Sequence, residues 1–291
     1  MKGGLFYRRH QIIMNSRKTT KRFIPMFGRS NFKELPLPAR TQQGPWDELV
    51  SDIWRSVLEP LPFAPGQTAI EIGPGTSGKI AFALGKLKFQ GTVYIVDPAA
   101  NAIDVMREKY TRACPGSKIE TVHETVKDSI GKLPARADFL FMSHVIDDMM
   151  MLEAARRIPD GMNAFEWHAG KTYIIAPTRS YHETWKQIEK NLPALEEAKA
   201  EVLRALVAAI KILNPKVMVV SQYPSATLQE NGLDIINKHS HDIFSALMKA
   251  DLPGKRMSLD LQKILDQNEN YGHHHTGNNI LDARHWFLYE G

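Results

Sequence analysis

A chain of 291 residues can hold one large α/β domain with additions or two small domains, and its organisation favours a single domain carrying an insertion. Hydrophobic content of 43% and charged content of 24% are those of an ordinary globular protein, and no apolar run approaches the roughly 20 residues that cross a bilayer, which excludes a transmembrane helix. One cysteine, Cys114, excludes an internal disulfide and fits a reducing compartment, so an intracellular, cytoplasmic protein is expected.

The formal net charge of +5 is unevenly placed. No acid precedes Glu34, whereas Lys2, Arg8, Arg9, Arg17, Lys18, Lys21, Arg22, Arg29 and Lys33 bring nine positive charges, which leaves −4 for the remainder. Three readings compete for residues 1–33: a solvated tail, a basic arm touching RNA or an anionic surface, and a mitochondrial or other organelle presequence, which is also rich in Arg and Ser and poor in acids. The mildly acidic body argues against long backbone tracking of nucleic acid, which needs many phosphate contacts. Pro36, Pro38 and the Gly44-Pro45 pair mark an irregular connection, so residues 1–44 are expected as arm and linker and 45–291 as the folded domain.

The first expected helix follows at once. Trp46, Leu49, Val50, Ile53, Trp54, Val57 and Leu58 recur at helical spacing and form an apolar stripe, stopped by Pro60 and Pro62. Ala69, Ile70 and Ile72 then read as a buried parallel strand, Gly73-Pro74-Gly75-Thr76-Ser77-Gly78 as a glycine-rich turn, and Lys79 to Lys88 as a helix. Thr92 to Val96 is a second strand, ending in Asp97. Glycines at 73, 75 and 78 let the backbone turn sharply and approach a ligand, and an acid at the tip of the second strand can accept hydrogen bonds from both ribose hydroxyls. Glu71 narrows the choice. A carboxylate two residues before the first glycine repels a pyrophosphate on a helix N-terminus and suits a ligand carrying an ammonium or sulfonium charge.

Glu71-Ile72-Gly73-Pro74-Gly75-Thr76-Ser77-Gly78, followed by Val93-Tyr94-Ile95-Val96-Asp97, resembles the nucleotide-binding half of class I S-adenosylmethionine-dependent methyltransferases. The resemblance implies an α/β Rossmann-like fold: a mostly parallel seven-stranded sheet with an antiparallel C-terminal hairpin and helices on both faces. It also implies S-adenosyl-L-methionine as cofactor, with Glu71, Gly73, Pro74, Gly75 and Gly78 at its methionine end and Asp97, next to Pro98, at its ribose. In this family the helix before the first strand packs on the sheet and partly covers the cofactor, where Trp46 and Trp54 are expected to serve core packing.

Further along, Asn101 to Tyr110 reads as a helix and Lys118 to Val122 as the third strand. His123 and Glu124 fall where the resemblance implies contacts to adenine, against a reading of both as plain loop residues. Ala137 to Met142 is the fourth strand, delivering Ser143, His144, Asp147 and Asp148 to the carboxyl edge of the sheet. In similar enzymes that edge faces the methyl group, with Ser143 on the cofactor side. His144 is a candidate general base and Asp147 and Asp148 candidate positioning or substrate-binding groups, set against plain helix capping and backbone bonding.

Glu201 to Leu213 reads as a helix and Lys216 to Ser221 as the fifth strand, which makes residues 149–193 an insertion. Its aromatics, among them Trp167, Tyr173, Tyr181 and Trp185, read either as a substrate lid or as the packing of one more strand at 171–176. Leu233 to Ala250 and Ser258 to Asp266 read as helices, and His285 to Tyr289 as a strand pairing with one near Tyr271 to His275. Of His273, His274 and His275 only the outer two could share an ion, and no third ligand is defined, so no metal is assigned.

Base-amine methyltransferases carry Asn/Asp-Pro-Pro-Tyr/Phe after the fourth strand, where this chain has Ser143-His144-Val145-Ile146. Pyrimidine C5 methylation needs a cysteine nucleophile at the active edge, and Cys114 precedes Pro115 in an expected loop. Both reactions are disfavoured. The expectation is methyl transfer to an oxygen or nitrogen of a small or medium-sized acceptor, against an RNA methyltransferase recruited by the basic arm or a non-catalytic cofactor-binding subunit.

Overall fold

The computed structural model describes residues 37–158, 186–225, 229, 232, 234–257, 259–268 and 279–291, with backbone alone at 37–46 and 49. Strands β1 (Gln67–Ile72), β2 (Gly91–Val96), β3 (Lys118–Val122), β4 (Phe139–Ser143) and β5 (Val217–Ser221) are parallel. β7 (Trp286–Glu290) runs antiparallel beside β5, and β6 (Lys255–Arg256) antiparallel beside β7. The order across the sheet is β3-β2-β1-β4-β5-β7-β6. This is the Rossmann-like arrangement expected above. The chain leaves β1 toward β2 on one side and returns to β4 on the other, which opens a crevice at the carboxyl ends of β1 and β4.

Central strands of a doubly covered sheet must be apolar on both faces. β4 and β5 are buried at every position, and their alternation feeds two cores. Leu140, Met142, Met218 and Val220 pack with α5 (Ile146–Ala155), α6 (Leu192–Leu213) and α7 (Asp234–Lys249). Phe139, Phe141, Val217 and Val219 pack with α1 (Leu37–Leu58), α2 (Lys79–Lys86), α3 (Ala100–Ala113) and α8 (Leu261–Asp266). Trp54 of α1 is fully buried there, 4.9 Å from Trp286 and 6.4 Å from Phe141 between ring centroids, so it serves the core.

Three expectations change. Helix α1 begins at Leu37 and runs through Gly44-Pro45, inside the stretch expected to be irregular. Pro38 falls in the first turn, where no amide donor is needed; Pro45 forgoes one helical bond at a cost of about 3 kcal/mol, offset by the packing of the turns beyond it. The expected insertion is shorter at both ends. Met149 to Ala155 belong to α5, in the core, and α6 starts at Leu192 rather than Glu201, because Asn191 caps it and Pro193 fits its first turn. Its middle, residues 159–185, lies outside the described residues. The neighbour of β7 on its outer side is β6, two exposed basic residues with no apolar alternation to announce them, and Tyr271 to His275 lie outside the described residues. Among the described residues no helix is long and apolar enough to cross a membrane.

Candidate functional site

The loop after β1 is built by its glycines. Gly73 (φ 61°) and Gly75 (φ 56°) take left-handed conformations that cost a side-chain-bearing residue about 1 kcal/mol or more. A Cβ on Gly73 would also lie 2.1 Å from Val145 Cγ2, so this glycine lets the loop pack against the β4–α5 turn. Gly73 N–H donates to Val96 O at 2.7 Å, tying the loop to β2. Asp97, buried at the end of β2, accepts from Gly75 N–H at 3.0 Å and Ala99 N–H at 2.8 Å.

The far half of the loop is held by two residues that the pattern reading passed over. Asp47 of α1, with no solvent exposure, accepts from Ser77 Oγ at 2.7 Å, Gly78 N–H at 3.0 Å and Lys109 Nζ at 2.6 Å. Lys109 of α3, also buried, donates in addition to Thr76 O at 2.7 Å. A Cβ on Gly78 would meet Lys109 Cδ at 2.9 Å and Phe82 Cε2 at 3.0 Å, so the third glycine makes room for both side chains. The available signal was phase: Asp47 repeats with Val50, Trp54 and Val57, and an acid on a core-facing stripe must find partners.

Glu71 sits below the loop on β1, facing α3. The Tyr110 hydroxyl donates to its Oε2 at 2.6 Å. Burial raises the Glu71 carboxyl to about 8, against the opposing pull of the Tyr110 hydrogen bond and Lys79. Burial, with Glu71 beside it, also holds the Tyr110 phenol well above its ordinary value. Glu71 is therefore largely neutral at pH 7 and is not in the wall of the cleft described next.

A cleft of about 600 Å³, partly open to solvent, lies at the carboxyl ends of β1 and β2, closed by α4 (Val126–Ser129), α5 and α6. Ile72, Val96, Val126, Val145, Met149 and Leu152 give it apolar walls, and Gly73, Asp97, Pro98, Glu124 and Asp148 also reach it. Glu124 is partly exposed and paired with Lys132. The cleft thus combines apolar walls with a buried carboxylate at its edge.

At the end of β4 the backbone does something unusual. His144 has φ 53°, a left-handed conformation rare for a residue with a side chain, held by its N–H donating to Ser221 O at 2.8 Å. Its buried ring stands edge-on to Tyr223 with centroids 4.5 Å apart. Asp147 Oδ1 lies 3.3 Å and Gln222 Nε2 3.4 Å from His144 Nδ1. Gln222 Oε1 accepts from Ile146 N–H at 3.3 Å, which turns the amide nitrogen toward the ring. Unprotonated, Nδ1 accepts from Gln222; protonated, it donates to Asp147. The adjacent acids divide: Asp147 faces His144, and Asp148 faces the cleft. On the α1 side of the same edge the hydroxyls of Ser143, Ser221 and Tyr223 are buried without a hydrogen-bond partner among the described residues.

Cys114 ends α3, buried, its thiol pushed up by burial to about 12, which suits packing and not nucleophilic attack. The described residues include no group of three or more His, Cys, Asp or Glu fit to hold a metal, and His273, His274 and His275 lie outside them.

No family model and no curated protein matches the chain. Among solved structures it matches an O-methyltransferase family protein from Burkholderia thailandensis at 13% identity, over 89% of this chain and 60% of that one, with a TM-score of 0.42. It also matches Haemonchus contortus phosphoethanolamine N-methyltransferase 2 in complex with S-adenosyl-L-methionine (13% identity, 82% and 52%, TM-score 0.36). A third is the cyclopropane synthase MmaA2 from Mycobacterium tuberculosis (11% identity, 95% and 95%, TM-score 0.36). The chain spans between 39% and 60% of the length of the first three structures it matches.

Proposed function

We propose that this chain is an S-adenosylmethionine-dependent methyltransferase acting on an oxygen or nitrogen of a small or medium-sized acceptor. The observation that carries the reading is the pairing of the glycine loop with Asp97 on adjacent strand ends, beside an apolar cleft. When bound, the cofactor supplies a methyl group on a sulfonium whose sulfur keeps the bonding pair on departure. The protein's part is to align acceptor, methyl carbon and sulfur. Asp97 accepts from the ribose hydroxyls, Pro98 and the apolar walls enclose the adenine, and the loop from Gly73 to Gly78 takes the methionine end. His144, with Asp147 beside its Nδ1, takes the acceptor's proton, and the Asp147 carboxylate stabilises the imidazolium. Asp148, in the cleft wall, belongs to the cofactor side of this division.

Asp97→Ala tests the assignment. Loss of charged hydrogen bonds worth about 1.5–3 kcal/mol each should weaken cofactor binding at least ten-fold by calorimetry. Unchanged affinity in a folded variant would contradict the ribose assignment. The nine positive charges before Glu34 keep an RNA acceptor in view. Deleting residues 1–33 should then weaken RNA binding while leaving cofactor affinity intact; equal RNA affinity with and without them removes that reading.

A further inference from the structure

Asp47 and Lys109 form an ion pair of 2.6 Å whose side chains are 1% and 7% exposed, a depth at which a lone charge is not tolerated. Three further hydrogen bonds of this pair end on Thr76, Ser77 and Gly78. A pair needed only to join α1 to α3 would have no reason to converge on three consecutive loop residues. The neighbouring α1–α2 contact shows the contrast: Lys86 donates to Ser51 Oγ at 2.9 Å and to Asp52 at 2.7 Å, at a partly exposed surface. Gly78 is packed from the same side, since a Cβ there would meet Lys109 Cδ at 2.9 Å and the Phe82 ring at 3.0 Å.

We propose that Asp47 and Lys109 are positioning residues that hold Thr76–Gly78 in the shape that receives the methionine end of the cofactor, so that affinity for that end is set from α1. The proposal rests on the methyltransferase reading. Preorganisation explains why charge is buried here: a loop held before binding loses less conformational freedom when the ligand arrives. Asp47 supplies the acceptors, Lys109 neutralises it and fixes the Thr76 carbonyl, and Ser77 and Gly78 donate from the start of α2.

The test is calorimetric titration of the full chain with S-adenosylmethionine and with 5′-methylthioadenosine, which keeps the nucleoside and lacks the amino-acid end. Asp47→Asn should weaken the first at least ten-fold and Ser77→Ala at least three-fold, with the second changed less than two-fold. Lys86→Met, the control at the neighbouring α1–α2 contact, should change neither. Ser77→Ala leaves the ion pair in place, so it decides the matter where Asp47→Asn does not fold. Folded variants that bind S-adenosylmethionine within two-fold of wild type overturn the proposal, as does a parallel loss for both ligands, which marks a general structural role. Wild-type protein that binds neither overturns the methyltransferase reading and this proposal with it.

Discussion

Glu71 is a carboxyl that the fold keeps protonated. Its value near 8 in the folded chain, against 4.5 for an ordinary glutamate, comes first from burial. Between those two values the folded state binds more protons than the unfolded state, so stability falls as pH rises, by at most about 1.4 kcal/mol per unit, and levels off above 8. Glu71→Gln removes the titration. Urea unfolding from pH 5 to 8 should show the variant gaining on wild type by a few kcal/mol in total, on the order of that slope; a constant difference would mean Glu71 ionises freely. His144 carries strain of about 1 kcal/mol at φ 53°, so His144→Gly should be more stable than His144→Ala. With an acceptor found by screening, both should lower kcat by roughly 10²–10⁴ while cofactor affinity holds. Retained kcat would return His144 to a structural role. At this scale the glycines and Asp97 were legible because turn and strand-end chemistry leave local marks. Asp47 and Lys109 were not, because their meaning depends on a partner 62 positions away.

Elements were legible where periodicity is long. The cores of α1, α3, α6, β4 and β5 fall where apolar spacing predicts, and the misplaced ends belong to residues with ambiguous signals: Pro45 inside a helix, Met149 where α5 reads as insertion, Lys255 and Arg256 in a strand two residues long. The loop between β1 and α2 depends on the turn between β4 and α5 through one contact. Gly73→Ala places a methyl 2.1 Å from Val145 Cγ2 at a left-handed position and should destabilise by about 2–4 kcal/mol in denaturant. Adding Val145→Ala should recover part of that loss, leaving the backbone strain. Full additivity would show that the two sites do not meet.

The whole molecule places its chemistry where the topology allows: the chain reverses direction of travel across the sheet between β1 and β4, and the cleft, Asp97 and His144 all lie at that carboxyl edge. Fold class was readable because one strand–loop–helix–strand unit with its terminal acid has few structural solutions. Acceptor identity was not, because the residues at the carboxyl edge come from strand ends far apart in sequence, as Ser143 of β4 and Ser221 of β5 do. The central claim, that the cleft takes a sulfonium nucleoside, is tested most directly by calorimetric titration of the purified chain with S-adenosylmethionine and, separately, with NAD. Saturable one-to-one binding of S-adenosylmethionine and none of NAD is the predicted result. Binding of NAD alone, or of neither by a folded protein, would contradict it.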